Sequence, residues 1–137
     1  MRGRGVKEIV MRLLPALVLG LSACLITPAE RPLNVRQIVE NARALDGQEV
    51  VVTGWIEDCE RLSCPLYASS EEVGKDSPYL LSIGPSRWFD DFARRNAPMR
   101  VNLRARVHAR CITNPATGNI AVCADRSGTL EPLGLGR

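Results

Sequence analysis

Four cysteines in the body of the chain, Cys59, Cys64, Cys111 and Cys123, are the residues best equipped for chemistry. Four thiols can pair in three ways. Their spacings, C-x4-C and C-x11-C, depart from the close C-x2–4-C pairs that grip zinc, so no metal site is expected. Redox-active pairs favour C-x-x-C at a helix N-terminus, where the thiolate is stabilised. Cys59 and Cys64 instead flank a short turn between two predicted strands, which makes a thiol-redox enzyme acting through them the secondary reading. The strand pattern favours Cys59–Cys64 and Cys111–Cys123 as structural disulfides. A hairpin centred near Thr117 sets residues 111 and 123 opposite each other. Opposed Cα atoms on antiparallel strands lie about 4.5–5.5 Å apart, inside the disulfide range of about 4.4–6.8 Å.

A row of cations forms the second constellation. Val101, Leu103, Ala105, Val107, Ala109 and Cys111 alternate with Arg100, Asn102, Arg104, Arg106, His108 and Arg110. Period two over such a length predicts a strand with one buried face. Its other face, carrying Arg100, Arg104, Arg106, His108 and Arg110, is the candidate binding surface for an anionic ligand. Trp55 or Tyr67 would supply stacking area. The competing reading is a solvated face whose arginines pair across strands with Glu57, Asp58 or Glu60. His108 is the one histidine and has no visible partner for general-base work. No Ser-His-Asp set, glycine-rich phosphate loop or metal-spaced carboxylate cluster can be assembled, so no catalytic residue, enzymatic activity or cofactor is expected.

The elements that must position these residues are legible from periodicity. Asn34 and Gln37 form a capping-box pair at the start of a helix, with Leu33 placed to staple onto Ile38. Val35, Ile38, Val39, Ala42 and Leu45 lie on one helical stripe, and Asp46-Gly47 ends it. Glu49 to Ile56 predicts a strand with Val50, Val52, Gly54 and Ile56 on one face and Val51, Thr53 and Trp55 on the other. Gly54 within it predicts a bulge or bend. Short strands are expected over 64–68 and 79–83, with an exposed loop over 69–78. A second helix is expected over 87–96, capped by Ser86, with Trp88, Phe89, Phe92 and Ala93 as its apolar stripe and the three aromatics as core plugs. Asn-Pro and Thr-Gly within 113–119 predict a turn, followed by a last strand over 120–123. The tail from Gly128 shows no clear period.

This order, helix, three strands, helix, two strands, resembles the OB-fold, a five-stranded Greek-key barrel with one helix before strand 1 and one between strands 3 and 4. The resemblance spans about residues 35–132, and the run from Leu45 to Ile56 is similar to the first strand of such domains. It implies a mainly β fold with two helices. OB-fold domains bind oligonucleotides or oligosaccharides, so the resemblance also implies a binding module.

The N-terminus supplies the address. Arg2, Arg4, Lys7 and Arg12 precede an apolar run from Leu13 to Ala23. That run is about half of the roughly 20 residues needed to span a bilayer, as in a signal peptide. Leu21-Ser22-Ala23-Cys24 resembles the lipobox of a bacterial lipoprotein signal. The resemblance implies cleavage before Cys24, a diacylglycerol on its thiol and a further acyl group, such as palmitate, on its amine. Several acyl chains would anchor the protein stably. Leu25 in place of an acidic residue implies the outer membrane, with the protein facing the periplasm. In that oxidising compartment disulfides persist.

The expected organisation is therefore a signal peptide over 1–23, a membrane-proximal tether over 24–33, an OB-like domain over 34–132 and a tail over 133–137. Four of the 18 basic and one of the 15 acidic residues lie in the first 23, leaving 14 of each. A near-neutral domain argues against a general polyanion or nucleic-acid binder. The expected function is a membrane-tethered envelope binding module whose basic strand face meets an anionic glycolipid, glycan or protein partner. A structural subunit of an envelope assembly is the third reading.

Overall fold

The computed structural model describes residues 31–60, 63–118, 123 and 128–137. Its first element, β1 (Leu33–Asn34), is a two-residue strand that runs straight into helix α1 (Val35–Glu40). The capping box is present in both directions. The Gln37 amide donates to Asn34 Oδ1 at 2.8 Å, and the Asn34 amide donates to Gln37 Oε1 at 2.9 Å. Val35, Ile38 and Val39 are buried, as their spacing requires.

The single helix expected to reach Leu45 is broken at Asn41. Both the backbone amide and the side-chain amide of Asn41 donate to the Gln37 carbonyl, at 3.1 and 2.9 Å. An asparagine that bonds the preceding turn in this way competes with helix propagation. The chain re-enters helix as α2 (Ala42–Leu45), and Gly47 then turns at φ 76°. A left-handed residue at a helix exit is where glycine has least to lose.

Three strands follow: β2 (Glu49–Ile56), β3 (Pro65–Tyr67) and β4 (Leu80–Ser82). Helix α3 (Arg87–Asn96) comes next, capped by Ser86 Oγ, which accepts from the Phe89 amide at 3.4 Å. Strands β5 (Met99–Val107) and β6 (Leu130–Leu135) complete the fold. The protein is mainly β, with an antiparallel sheet in the order β4-β3-β2-β5-β6 and β1 added in parallel beside β2. β2 and β5 form the longest ladder, from Glu49↔Arg106 to Ile56↔Met99. The ladders leave the sheet open between β4 and β6. One isolated parallel bridge, Ile83↔Leu130, lies between those two ends.

The buried face of the sheet carries Val50, Val52 and Ile56 of β2, Leu66 of β3, Leu81 of β4 and Val101, Leu103, Ala105 and Val107 of β5. Helix α1 adds Ile38 and Val39, and helix α3 adds Phe89 and Ala93 to the same core. A large apolar side chain withdrawn from water in this way contributes about 1.5–3 kcal/mol.

Several expectations are corrected. Among the described residues there are three α-helices, not two, and β1 is an added strand. The long alternating strand stops at Val107, because the chain turns there into a 3-10 segment, Ala109–Cys111. The Asp46 carboxylate accepts from the Ala109 amide at 2.9 Å and holds that turn. Cys111 is therefore off the sheet and half-buried, not on its inward face. β5 takes its second partner from the segment read as an unpatterned tail, and β6 crosses the expected boundary at residue 132. The strand expected over 120–123 lies outside the described residues except for Cys123. Pairing runs through Gly54 opposite Val101 without a bulge; the register shift falls instead between Arg104 and Ala105, against β6. Trp88 is 41% exposed, so it is no core plug; it lies edge-on over the buried Phe89, with ring centroids 5.5 Å apart. The loop 69–78 contains a 3-10 turn, Ser70–Glu72.

Candidate binding face

Alternation along β2 and β5 puts a second set of residues on the face turned from the core. The cross-strand pairs there are Glu49↔Arg106, Val51↔Arg104, Thr53↔Asn102 and Trp55↔Arg100. β6 extends the row, with Glu131 opposite Arg106 and Gly134 opposite Arg104. Arg100, Arg104 and Arg106 thus share one face, as the sequence pattern requires, but their surroundings differ.

Arg106 is neutralised. Its Nη2 lies 3.1 Å from Glu49 Oε1 and its Nη1 lies 3.2 Å from Glu131 Oε2. His108, just past the strand end, places Nε2 3.7 Å from the same Glu131 oxygen. Partly exposed pairs like these contribute at most about 1 kcal/mol each. They nonetheless fix the charge at this end, which holds two carboxylates around one guanidinium. The partners are Glu49 and Glu131, not the expected Glu57, Asp58 or Glu60.

The other end of the face is different. Arg100 is exposed, and its Nε donates to Thr53 Oγ1 at 3.2 Å. Arg104 is exposed and forms no ion pair among the described residues. Arg100 borders two shallow grooves. One, of about 270 Å³, runs past Trp55, Asn34 and Ser69 to Glu71. The other, of about 390 Å³, lies between Pro32, Thr53 and Asn102. Trp55 is half-buried, paired with Arg100 across the strands, and lines the first groove. The carboxyl of Glu71 is held below its ordinary range, first by its own backbone amide, then by the Ser69 and Ser70 hydroxyls and the charge of Lys75. The groove is therefore mixed, one guanidinium facing one carboxylate.

Two predicted members of the face are elsewhere. Tyr67 is only 5% exposed, and its hydroxyl donates to Glu57 Oε2 at 2.8 Å. Burial, reinforced by that carboxylate, pushes its phenol above the ordinary value. A ring so enclosed has no face to offer for stacking. Arg110 sits on the 3-10 turn after the strand, exposed and away from the row.

Both disulfides are formed as the strand pattern favours, with Cα atoms 4.3 Å apart for Cys59–Cys64 and 5.5 Å apart for Cys111–Cys123. Cys59 closes the connection between β2 and β3, and Cys111 and Cys123 close part of the connection between β5 and β6. The two sulfurs of the first bridge lie with an Asp90 carboxylate oxygen inside a 4.8 Å set. Sulfurs joined to each other are neither thiolate ligands nor nucleophiles, so the trio offers one carboxylate in this form.

Sequence reasoning missed Glu49, although its phase on β2 matches Val51, Thr53 and Trp55 and could have found it. It also missed Glu131 and Pro32, for which the signal was absent: both reach the site through long-range strand pairing. Compared with protein families, with characterised proteins and with solved structures, the chain matches none.

Proposed function

We propose that the protein is a lipid-anchored module of the bacterial envelope that works by binding an anionic partner through the Trp55–Arg100–Arg104 end of its outer sheet face. The observation that carries this reading is the division of the face. Arg106 is quenched by Glu49 and Glu131, whereas Arg100 and Arg104 stand exposed without a carboxylate in an ion pair among the described residues. An exposed guanidinium presents a planar fork suited to phosphate or carboxylate. Two such forks on one face with Asn102 between them, roughly 13 Å apart along the strand, beside the half-buried Trp55, suit an extended anionic surface more than a single small ion.

The anchor reading rests on the lipobox at Cys24, which lies outside the described residues. The fold reading extends to an OB-like barrel. Its support is the strand order, the helix between β4 and β5, and the contact between the sheet's two ends. At that contact the Gly84 amide donates to the Leu130 carbonyl at 2.8 Å, the Thr129 amide to the Ser82 carbonyl at 2.7 Å, and the Ser82 amide to Thr129 Oγ1 at 2.8 Å. OB barrels join their third and fifth strands in parallel at this place.

The test is crosslinking and co-purification from membranes with the native chain and with Arg100→Glu/Arg104→Glu. Loss of the captured component in the double variant is expected. Unchanged capture sinks the basic-face reading. Cys24→Ser is expected to release the protein from the membrane fraction.

A further inference from the structure

We propose that the anionic partner of this face is the membrane itself: Arg100 and Arg104 rest on the headgroup phosphates of anionic phospholipids, with Trp55 at the interface. This rests on the reading of Cys24 as the lipid-bearing residue.

The geometry places the face where the tether arrives. Pro32 borders the same groove as Arg100, Thr53 and Asn102, and β1 clamps the next residues to β2 through Leu33↔Val52 and Asn34↔Thr53. From Cys24 to Pro32 the chain reaches at most about 29 Å when extended. Lipid at Cys24 therefore keeps the Pro32 side of the domain within about 29 Å of the bilayer. The C-terminus returns to the same place. The Gly136 amide donates to the Asn102 carbonyl at 2.8 Å, and a Cβ on Gly136 would stand 2.7 Å from Val51 Cγ1. Glycine lets this last turn lie flat on the sheet.

Charge follows the same geography. Arg31 at the tether and Arg137 after Gly136 are exposed, like Arg100 and Arg104, and none of the four is in an ion pair among the described residues. Glu71 opposes them, leaving the tether side net basic. The Glu49–Arg106–Glu131 end is net acidic, so the face is polarised, with its positive end towards the lipid. Anionic lipid attracts a basic residue by about 1 kcal/mol at the surface, and indole rings favour the headgroup level. A tethered domain needs no more, because docking is then intramolecular.

The experiment uses the chain from Cys24 onward, which contains every described residue, coupled through the Cys24 thiol to a maleimide lipid. The vesicles are phosphatidylcholine alone or phosphatidylcholine with brominated-chain phosphatidylglycerol. Trp88→Phe leaves Trp55 as the one tryptophan; Trp55→Phe is the converse reporter for α3. Quenching of Trp55 but not Trp88 on phosphatidylglycerol vesicles, fading with added salt, is expected. Arg100→Gln/Arg104→Gln should lower the docked-to-free ratio by about 30-fold, two charges at about 1 kcal/mol each. Circular dichroism checks that each variant is folded. An unquenched Trp55, quenching that does not fade with added salt, or an unaffected double variant each overturns the proposal and returns the face to a protein or glycan partner. The mass of the N-terminal peptide from native membranes separates the two readings. An unacylated Cys24 removes the anchor, while a failure to dock after chemical coupling removes the docking surface.

Discussion

Gly54→Ala should destabilise the protein, although every local consideration says the reverse. Gly54 sits in mid-strand, paired with Val101, at a φ outside the left-handed region. Alanine in such a position normally gains about 0.4–1 kcal/mol by restricting the unfolded chain. A buried methyl would add about 0.8 kcal/mol. The structure reverses the sign. A Cβ at residue 54 would stand 2.8 Å from Leu66 Cγ and 2.9 Å from the Tyr67 carbonyl oxygen. Leu66 is fully buried against Ile56 and Leu81, and the Tyr67 oxygen is backbone. β3 has little room to yield, since it is three residues long and follows directly on the Cys59–Cys64 bridge. Overpacking of this kind costs about 1–3 kcal/mol. For a domain near 100 residues, each kcal/mol moves Tm by about 4–8 °C. Urea unfolding of wild type and Gly54→Ala, followed by far-UV circular dichroism, reads the difference directly. Gly47→Ala is the control: its Cβ meets nothing within 4 Å, but its φ is +76°, so its cost comes from backbone strain alone, about 1 kcal/mol. A Gly54→Ala protein as stable as wild type, or more stable, would refute the claim that β2 and β3 are held together at van der Waals limit.

Tyr67 gives a pH prediction. Its folded pKa lies above the ordinary phenol value, so the folded state holds the proton more tightly than the unfolded chain does. The associated stability is complete below the unfolded value, about 10, and is lost as pH rises through the folded value. Ultraviolet titration should show a late phenol ionisation that Tyr67→Phe abolishes; the absence of that late step would contradict the burial. Removing the disulfides by paired Cys→Ala substitution should cost about 2 kcal/mol for Cys59/Cys64 and about 3 kcal/mol for Cys111/Cys123, following the lengths of the loops they close. Denaturant midpoints check the order, and a larger loss at Cys59/Cys64 would point to enthalpic contacts around the buried Cys64.

How much of this was legible before the structure depended on the range of the interaction. The Asn34–Gln37 box, the Ser86 cap, the span of β2 and the phase of β5 through Val107 follow from neighbours within one or two turns of chain. The failures share a cause. Asn41 breaks a helix through a side-chain bond that period counting ignores. Alternation carried the strand on to Cys111, but the Asp46 carboxylate, far away in sequence, turns the chain first. β6 contains Pro132 and Gly134 and shows no alternation, because a bulge opposite Arg104 and Ala105 breaks its period. On the binding face, the arginines were legible and their partners were not. Which guanidinium is quenched depends on Glu131, and Glu131 depends on β6. Tyr67 looked available because its partners come from two different connections, Glu57 after β2 and Gly74 between β3 and β4.

The bridge between Ile83 and Leu130 also sets a timetable. The segment that caps the free edge of β5 and touches the end of β4 leaves the ribosome after both of them. Until residues 128–135 arrive, β5 presents a nine-residue edge with one apolar face, the kind of template that recruits other strands. A chain arrested or clipped before Thr129 would carry both disulfides and still leave that edge bare. Truncation before Thr129 should therefore yield aggregate rather than a smaller working domain.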